Sequence, residues 1–140
     1  MKTVKISGVP FEVSRICLGC APYGTSVPAE TAHGIMDEYF DRRGFFFNTA
    51  HEYGDGLSER CLGEWIRSRG VRDRVIVTTK GGEDGSVPGT LTLHREDVMQ
   101  DLDESLIHLG LDSVDFFMLH VDDPAVPVGE ILDTLEDMRK

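Results

Sequence analysis

Short apolar runs alternate along this chain with longer segments whose apolar residues recur at helical spacing. The runs Phe45–Phe47, Val75–Val77 and Val114–Leu119 consist almost entirely of apolar residues, which is typical of parallel strands buried on both faces. Between these runs, apolar residues recur at the three- and four-residue intervals of amphipathic helices. The alternation predicts an α/β fold, in which helices cover a parallel sheet and connect its strands by right-handed crossovers.

A β-hairpin is predicted before the first of these units, with strands at Thr3–Ile6 and Phe11–Val13. Ile16–Leu18 is predicted as the first core strand, and it ends at Gly19. A polar, glycine-rich loop is expected from Gly81 to Gly89. Helices are predicted to begin near Pro28, Ser58, His94 and Pro127. Ser58 is expected to act as the N-cap of its helix.

Two architectures fit a parallel sheet of this kind, an open nucleotide-binding sheet and a piece of a closed (β/α)8 barrel. The segment after the first strand, Gly19–Gly24, lacks the G-x-G-x-x-G pattern, and Thr25-Ser26 follows it where a phosphate-binding loop needs Lys-Ser/Thr. The hairpin would close the bottom of a barrel. We therefore predict a TIM-barrel type fold represented by its N-terminal half, about four β/α units over residues 1–140 with no separate second domain, because a complete barrel needs roughly 250 residues.

Polar side chains follow three of the predicted strands at their C-terminal ends. Asn48 and Tyr53 come after the second strand, Lys80 ends the third, and His120 follows the fourth. In a (β/α) barrel these strand ends form the rim on which catalytic groups from different strands meet. A phenol, an amine and an imidazole at one rim indicate proton transfer to or from a carbonyl oxygen.

Charge and hydropathy exclude several classes of partner. The formal net charge is −11, whereas nucleic acids and anionic membranes require a basic surface. No apolar stretch is long enough to span a bilayer, and the first residues lack the apolar core of a signal peptide. We therefore expect no nucleic-acid partner, no membrane association and a cytoplasmic location.

Cysteine and histidine spacing gives no indication of a metal site. Cys17 and Cys20 form a C-x-x-C pair, but no second such pair follows, and Cys61 makes the number odd. We therefore expect buried, unreactive thiols and no disulfide framework. None of the five histidines has H-x-x-x-H or H-E-x-x-H spacing, so no metal site is expected.

Several motifs resemble those of the aldo-keto reductase family. Residues 48–54 (NTAHEYG), with Ser58-Glu59 and Leu62-Gly63 after them, are similar to the signature that follows the second strand in that family, and Val77–Lys80 is similar to its third strand. Residues 103–120 resemble its third helix and fourth strand. The chain is thus identified as a partial member, equivalent to the N-terminal half. The resemblance implies an oxidoreductase that uses NADP(H) to reduce an aldehyde or ketone to an alcohol.

The resemblance also implies roles for individual residues. Tyr53 would donate a proton to the carbonyl oxygen of a small-molecule substrate, and Lys80 would stabilise the phenolate. His120 would hydrogen-bond the carbonyl oxygen. Gly19 and Cys20, with Asn48, would lie near the nicotinamide of the cofactor.

Asn48 occupies the position at which the family has a catalytic aspartate. Asparagine can still accept a hydrogen bond from Lys80, but it brings no negative charge to the ammonium group. Two alternatives follow from this difference. Either catalysis is weaker or shifted in pH, or a carboxylate such as Glu52 supplies the charge from elsewhere.

Two hypotheses for function remain open at this level. In the first, the chain is part of a reductase and is inactive by itself, because the resemblance assigns the main cofactor-binding loops to the later half of the barrel. In the second, it is a non-catalytic half-barrel that acts through self-association or a partner chain, since the predicted edge strands Ile16–Leu18 and Val114–Leu119 would be unpaired.

Overall fold

A four-stranded parallel sheet with helices packed against it is the central feature of the computed structural model, which describes residues 1–84 and 90–139. The α-helices among these residues are α1 (Ala29–Asp41), α2 (Leu57–Arg69), α3 (Arg95–Leu109) and α4 (Val128–Asp137). The strands are β1 (Thr3–Lys5), β2 (Glu12–Ser14), β3 (Leu18–Gly19), β4 (Phe46–Asn48), β5 (Ile76–Gly81), β6 (Glu83–Asp84), β7 (Thr90–Leu91) and β8 (Phe116–Leu119).

The parallel sheet has the strand order β3-β4-β5-β8. Consecutive β/α units therefore place their strands side by side, as the alternation of the sequence predicts. The register pairs Gly19 with Asn48, and Asn48 in turn with Thr78. Because all four strands run in one direction, the residues at their C-terminal ends lie along a single edge.

The two faces of this sheet lie in different environments. Phe47 and Val77 belong to the main hydrophobic core, where they pack against helix residues that include Met36 and Trp65. The rings of Phe47 and Trp65 are 5.0 Å apart. Side chains alternate along a strand, so every second residue projects from the opposite face. Asn48 on β4 and Lys80 on β5 are among these residues.

The N-terminal hairpin of β1 and β2 lies against this opposite face at the other end of the sheet. Phe11 makes an edge-on contact with Phe116, with ring centroids 5.8 Å apart. The ring centroid of Phe46 is also 5.8 Å from that of Phe116. The hairpin thus covers the sheet near the start of β4 and β8 and leaves the C-terminal edge open.

The first core strand is shorter than predicted and lies further along the chain. It comprises Leu18–Gly19, whereas Ile16 and Cys17 precede it and are exposed. The prediction that Cys17 is buried is therefore wrong, whereas Cys20 and Cys61 are buried as expected. Apolar residues alone predict burial poorly here because the ladder with β4 includes only Leu18 and Gly19 and does not extend back to Ile16 and Cys17.

Helix α2 begins at Leu57, two residues earlier than an N-cap at Ser58 predicts, so Ser58 has a different role. Gly56, with φ of 76°, is the residue before the helix, so Ser58 lies inside it and is not its N-cap. Its buried hydroxyl donates to the carbonyl oxygen of Cys20 at 2.8 Å and contacts the Thr49 hydroxyl at 2.8 Å. Ser58 therefore connects the segments that follow β3 and β4.

The predicted loop at 81–89 is partly regular. Gly81 ends β5, and the short strands β6 and β7 pair antiparallel, with Glu83 opposite Leu91. Residues 85–89, which belong to this predicted loop, lie outside the described residues. So does Lys140, which follows the last predicted helix. Among the described helices, none combines the length and the apolar character that crossing a membrane requires.

Helices α2 and α3 lie in close contact at Gly63. A Cβ atom at this position would overlap the backbone of Leu109, lying 2.6 Å from its carbonyl carbon. Only glycine permits this approach of two backbones. By contrast, a Cβ at Gly34 on α1 would meet no atom within 4 Å.

Candidate active site at the C-terminal edge of the sheet

The four residues predicted to share one rim do converge there. Asn48 ends β4, Lys80 lies one residue before the end of β5, and His120 directly follows β8. Tyr53 lies in the segment between β4 and α2, and its hydroxyl reaches both Lys80 and His120. The parallel sheet thus gathers residues that are up to 72 positions apart, from Asn48 to His120, as the sequence predicts.

Lys80 is the centre of this cluster. Its side chain is buried, and its ammonium group donates three hydrogen bonds, to Asn48 Oδ1 at 2.9 Å, to the Thr49 carbonyl at 2.7 Å and to the Tyr53 hydroxyl at 3.1 Å. All three acceptors are neutral oxygens. Within the described part of the chain, no carboxylate forms an ion pair with Lys80.

The hydroxyl of Tyr53 is held between a cation and an imidazole. It accepts the hydrogen bond from Lys80, so its own proton is directed away from the ammonium. His120 Nε2 lies 3.5 Å from the hydroxyl oxygen, and the two rings meet edge-on with centroids 5.4 Å apart.

The segment that presents Tyr53 is anchored at both of its ends. His51 donates its backbone N–H to the Lys80 carbonyl at 2.9 Å, and Gly54, Asp55 and Gly56 all have left-handed φ angles. Asp55 is one of two residues other than glycine with positive φ in the described chain, at 54°. This compact backbone turns the phenol back over the strand ends.

Ionisable groups on α3 support this segment from outside. His51 Nε2 lies 2.9 Å from Glu104 Oε2. Hydrogen bonds with Gln100 and His51 hold the pKa of Glu104 below its ordinary value. Burial raises the pKa of Asp101, whose carboxylate accepts a hydrogen bond from the Gly82 amide at 2.7 Å.

A buried carboxylate lies behind β5, on the face opposite Lys80. Glu59 on α2 is fully buried. It accepts a hydrogen bond from the Thr79 hydroxyl at 2.6 Å, and its other oxygen lies 3.1 Å from His108 Nδ1. Glu59 therefore connects α2 with β5 and α3. Its partner on β5, Thr79, directly precedes Lys80. The sequence motif contains Glu59, but a glutamate in a helix gives no signal by itself that it is buried.

The residues expected near the cofactor occupy two environments. Gly19 pairs with Asn48 at the exposed edge, and a Cβ at Gly19 would meet no atom within 4 Å. The Cys20 side chain is fully buried in the main core, and burial raises the pKa of its thiol. Only the backbone of Cys20 can therefore face a ligand at this edge.

His120 has two carboxylates close to its second ring nitrogen. Nδ1 lies 3.1 Å from Glu52 Oε1 and 3.7 Å from Glu83 Oε2. Ligand atoms of these three residues lie within 4.8 Å of one another, a spacing that a cation can bridge. Spacing along the sequence could not reveal this group because its members follow three different strands. Among the described residues, Glu52 therefore lies beside His120 and forms no ion pair with Lys80.

A family model assigns nearly the whole chain to one group of proteins. The model of the aldo/keto reductase family matches residues 15–140. This range begins at the end of the hairpin and includes every residue of the candidate site.

Individual relatives agree with this match. The chain is 34% identical to the uncharacterized oxidoreductase YrpG of Bacillus subtilis, covering 90% of this chain and 42% of that protein. It is 31% identical to the aldo-keto reductase yakc of Schizosaccharomyces pombe, whose name specifies NADP(+), covering 86% of this chain and 36% of that protein.

A solved structure shows the same fold. The aldo-keto reductase AKR11C1 from Bacillus halodurans, in its holo form, superimposes with a TM-score of 0.87 at 25% sequence identity. The match covers 99% of this chain and 46% of that structure. The predicted fold is therefore confirmed as part of a TIM barrel, and the chain spans less than half the length of these relatives.

Proposed function

The chain belongs to the aldo/keto reductase family, and we propose that it carries the proton-transfer face of an NADP(H)-dependent enzyme that reduces an aldehyde or ketone to an alcohol. The family identifies an oxidoreductase. The choice of cofactor and the roles of individual residues are our proposal. The observation that supports it best is the 3.1 Å hydrogen bond from the buried Lys80 ammonium to the Tyr53 hydroxyl.

In this proposal Tyr53 is the general acid. Lys80 donates to the phenol oxygen and so leaves the phenolic proton free for a carbonyl oxygen placed beside it. The nearby cation stabilises the negative charge that develops on the phenol as the proton leaves. His120 borders the same position and can hydrogen-bond the carbonyl oxygen. Asn48 keeps the ammonium in place as a neutral acceptor.

The open edge at Gly19 and Asn48 fits a nicotinamide ring. No side chain of the described residues fills the space at Gly19, and Asn48 lies beside it at the end of the neighbouring strand. A bound cofactor would supply a hydride to the carbonyl carbon. The NADP(+) in the name of the yakc relative supports the phosphorylated form of the cofactor.

The proposal predicts that the full-length protein oxidises NADPH when an aldehyde or ketone is added. Residues 1–140 expressed alone are expected to show no turnover and no tight NADPH binding, because barrel enzymes typically bind phosphate after strands seven and eight. A panel of aliphatic and aromatic carbonyls, followed by NADPH absorbance, measures the first expectation, and titration calorimetry measures the second. Absence of turnover with every carbonyl would contradict the proposed activity. Micromolar binding by residues 1–140 would contradict the dependence on later loops.

A non-catalytic role through self-association is the second candidate, and the exposed edges of the sheet favour it. Strands β3 and β8 are the outer strands of the sheet, and apolar side chains near both are exposed, with Ile16 at 60% and Met118 at 50%. Unpaired strand edges beside apolar surface favour pairing with another chain.

Residues 1–140 alone are therefore expected to form dimers or larger species. Light scattering coupled to size exclusion measures the mass, and near-UV circular dichroism reports the packing of the aromatic core. A monomer with a sharp, cooperative unfolding transition would exclude association through these edges.

A further inference from the structure

One face of helix α3 holds the ring of His51, which comes two residues before Tyr53. Asp101, Glu104 and His108 are three and four positions apart, so their side chains lie on the same face of the helix. His51 Nε2 lies 2.9 Å from Glu104 Oε2, and Nδ1 lies 3.5 Å from Asp101 Oδ1. The ring of His108 is stacked on that of His51, with centroids 5.9 Å apart. A single helix therefore makes three contacts with this imidazole.

The same helix also holds the end of the strand that carries Lys80. Asp101 Oδ2 accepts a hydrogen bond from the backbone N–H of Gly82 at 2.7 Å. A Cβ atom at Gly81 would lie 2.7 Å from the Cβ of Asp101, so the glycine allows this carboxylate to reach the strand end. Helix α3 therefore contacts both segments whose relative position sets the 3.1 Å hydrogen bond between the ammonium and the phenol.

We propose that His51 is a positioning residue for Tyr53. Its Nε2–H donates to Glu104 and ties the segment after β4 to α3, so that the phenol stays within hydrogen-bonding distance of Lys80. Hydrogen bonds with Gln100 and His51 hold the pKa of Glu104 below its ordinary value. An ionised carboxylate can only accept, so the hydrogen between the two groups lies on Nε2. The contact between Nδ1 and Asp101 is longer and is not needed for this role.

The backbone of His51 explains how its ring can act on the phenol. The His51 N–H donates to the Lys80 carbonyl at 2.9 Å, and the His51 carbonyl accepts a hydrogen bond from Gly56 at 3.1 Å. The second bond closes the turn that contains Tyr53. A change in the orientation of His51 therefore moves the phenol relative to Lys80. A misplacement of about 1 Å can lower a rate about 100-fold.

Two amide side chains of different length test this assignment at position 51. In His51→Gln the amide nitrogen is as many bonds from the backbone as Nε2, so it can still donate to Glu104. In His51→Asn the amide nitrogen corresponds to Nδ1, so it can reach Asp101 but is too short for Glu104. Glu104→Ala removes the acceptor itself. Glu104 is partly exposed, so this variant is expected to fold even if a substitution of His51 does not.

In the activity assay, which rests on the proposed function, His51→Asn and Glu104→Ala should each lower kcat about tenfold, less than the full cost of a misplaced group because the backbone bonds of His51 remain. The KM for NADPH should change little, and His51→Gln should recover most of the loss. The double variant should be no worse than either single variant, since both remove the same hydrogen bond. Asp103→Ala removes a carboxylate from an exposed position on α3 and is the matched control, which should match the parent.

The position of the phenol can also be measured without any turnover. In the full-length protein with tyrosine labelled by carbon-13 at Cζ, the chemical shift of Tyr53 reports the hydrogen bond from Lys80. Loss of one signal in Tyr53→Phe assigns it. We expect this signal to move in His51→Asn and in Glu104→Ala, and to stay near its parental position in His51→Gln.

Three results would overturn the inference. They are an unmoved Tyr53 signal with parental kcat in His51→Asn and Glu104→Ala, equal losses in the Asn and Gln variants of His51, and additive losses in the double variant. If the parent protein reduces no carbonyl, the proposed function fails, and the Tyr53 signal still decides whether His51 positions the phenol.

Discussion

Replacing Tyr53 by phenylalanine should reduce carbonyl turnover by the full protein about 100- to 10,000-fold, the range contributed by a positioned general acid. The substitution removes the hydroxyl that accepts the Lys80 hydrogen bond at 3.1 Å and leaves the ring in place. NADPH affinity should stay nearly unchanged because little volume is lost. Steady-state kinetics give kcat, and fluorescence titration gives the cofactor Kd.

Tyr23→Phe is the matched control for this variant. Tyr23 is buried, whereas Tyr53 is half-buried, and the Tyr23 hydroxyl makes no hydrogen bond to the described residues, so we expect turnover close to that of the parent. If Tyr53→Phe retains turnover within a few-fold of the parent, Tyr53 is not the proton donor. A large loss of NADPH affinity would instead assign the tyrosine to cofactor binding.

Gly63→Ala should lower the free energy of unfolding by about 2 kcal/mol. Alanine is favoured over glycine inside a helix by about 1 kcal/mol, and this gain must be set against the overlap of the new Cβ with the Leu109 backbone. Overpacking typically costs about 1–3 kcal/mol and occasionally more. The upper part of that range applies because the obstacle is backbone, which moves only if α2 and α3 separate. Urea unfolding followed by circular dichroism measures the effect.

The same substitution at Gly34 separates helix propensity from packing. Gly34 lies in α1, is exposed, and has open space at its Cβ position. Gly34→Ala should therefore stabilise the protein by up to about 1 kcal/mol. Equal effects of the two substitutions would mean that the contact at Gly63 relaxes without cost, contrary to the close approach of the two helices.

The main features of the fold follow from the sequence because burial on both faces and helical periodicity leave strong patterns. The runs containing Phe47 and Val77 lie in the core as predicted, and the parallel order is confirmed. The predicted strand at Ile16–Leu18 is wrong in its bounds because only Leu18 and Gly19 pair with β4. Ser58 is a typical N-cap residue, but it lies inside α2, where the left-handed Gly56 precedes the helix.

The arrangement of the candidate site can be predicted from the sequence only in part. Strand ends on one edge of a parallel sheet must be neighbours, so the proximity of Asn48, Lys80 and His120 could be predicted. The environment of His120 could not, because it depends on the conformations of the segments that carry Glu52 and Glu83. Loop conformation leaves no periodic pattern in a sequence. The catalytic roles of these residues remain predictions.

The buried Glu59 has a consequence for how this sequence can diverge. One oxygen of its carboxylate accepts a hydrogen bond from Thr79, and the other contacts His108. Loss of Glu59 alone would leave both groups without their acceptor, and loss of His108 alone would leave a buried carboxylate with one donor fewer, each a costly step. Positions 59 and 108 should therefore covary among homologues. An α3 segment transplanted from another barrel should be accepted only if it brings a donor to this carboxylate.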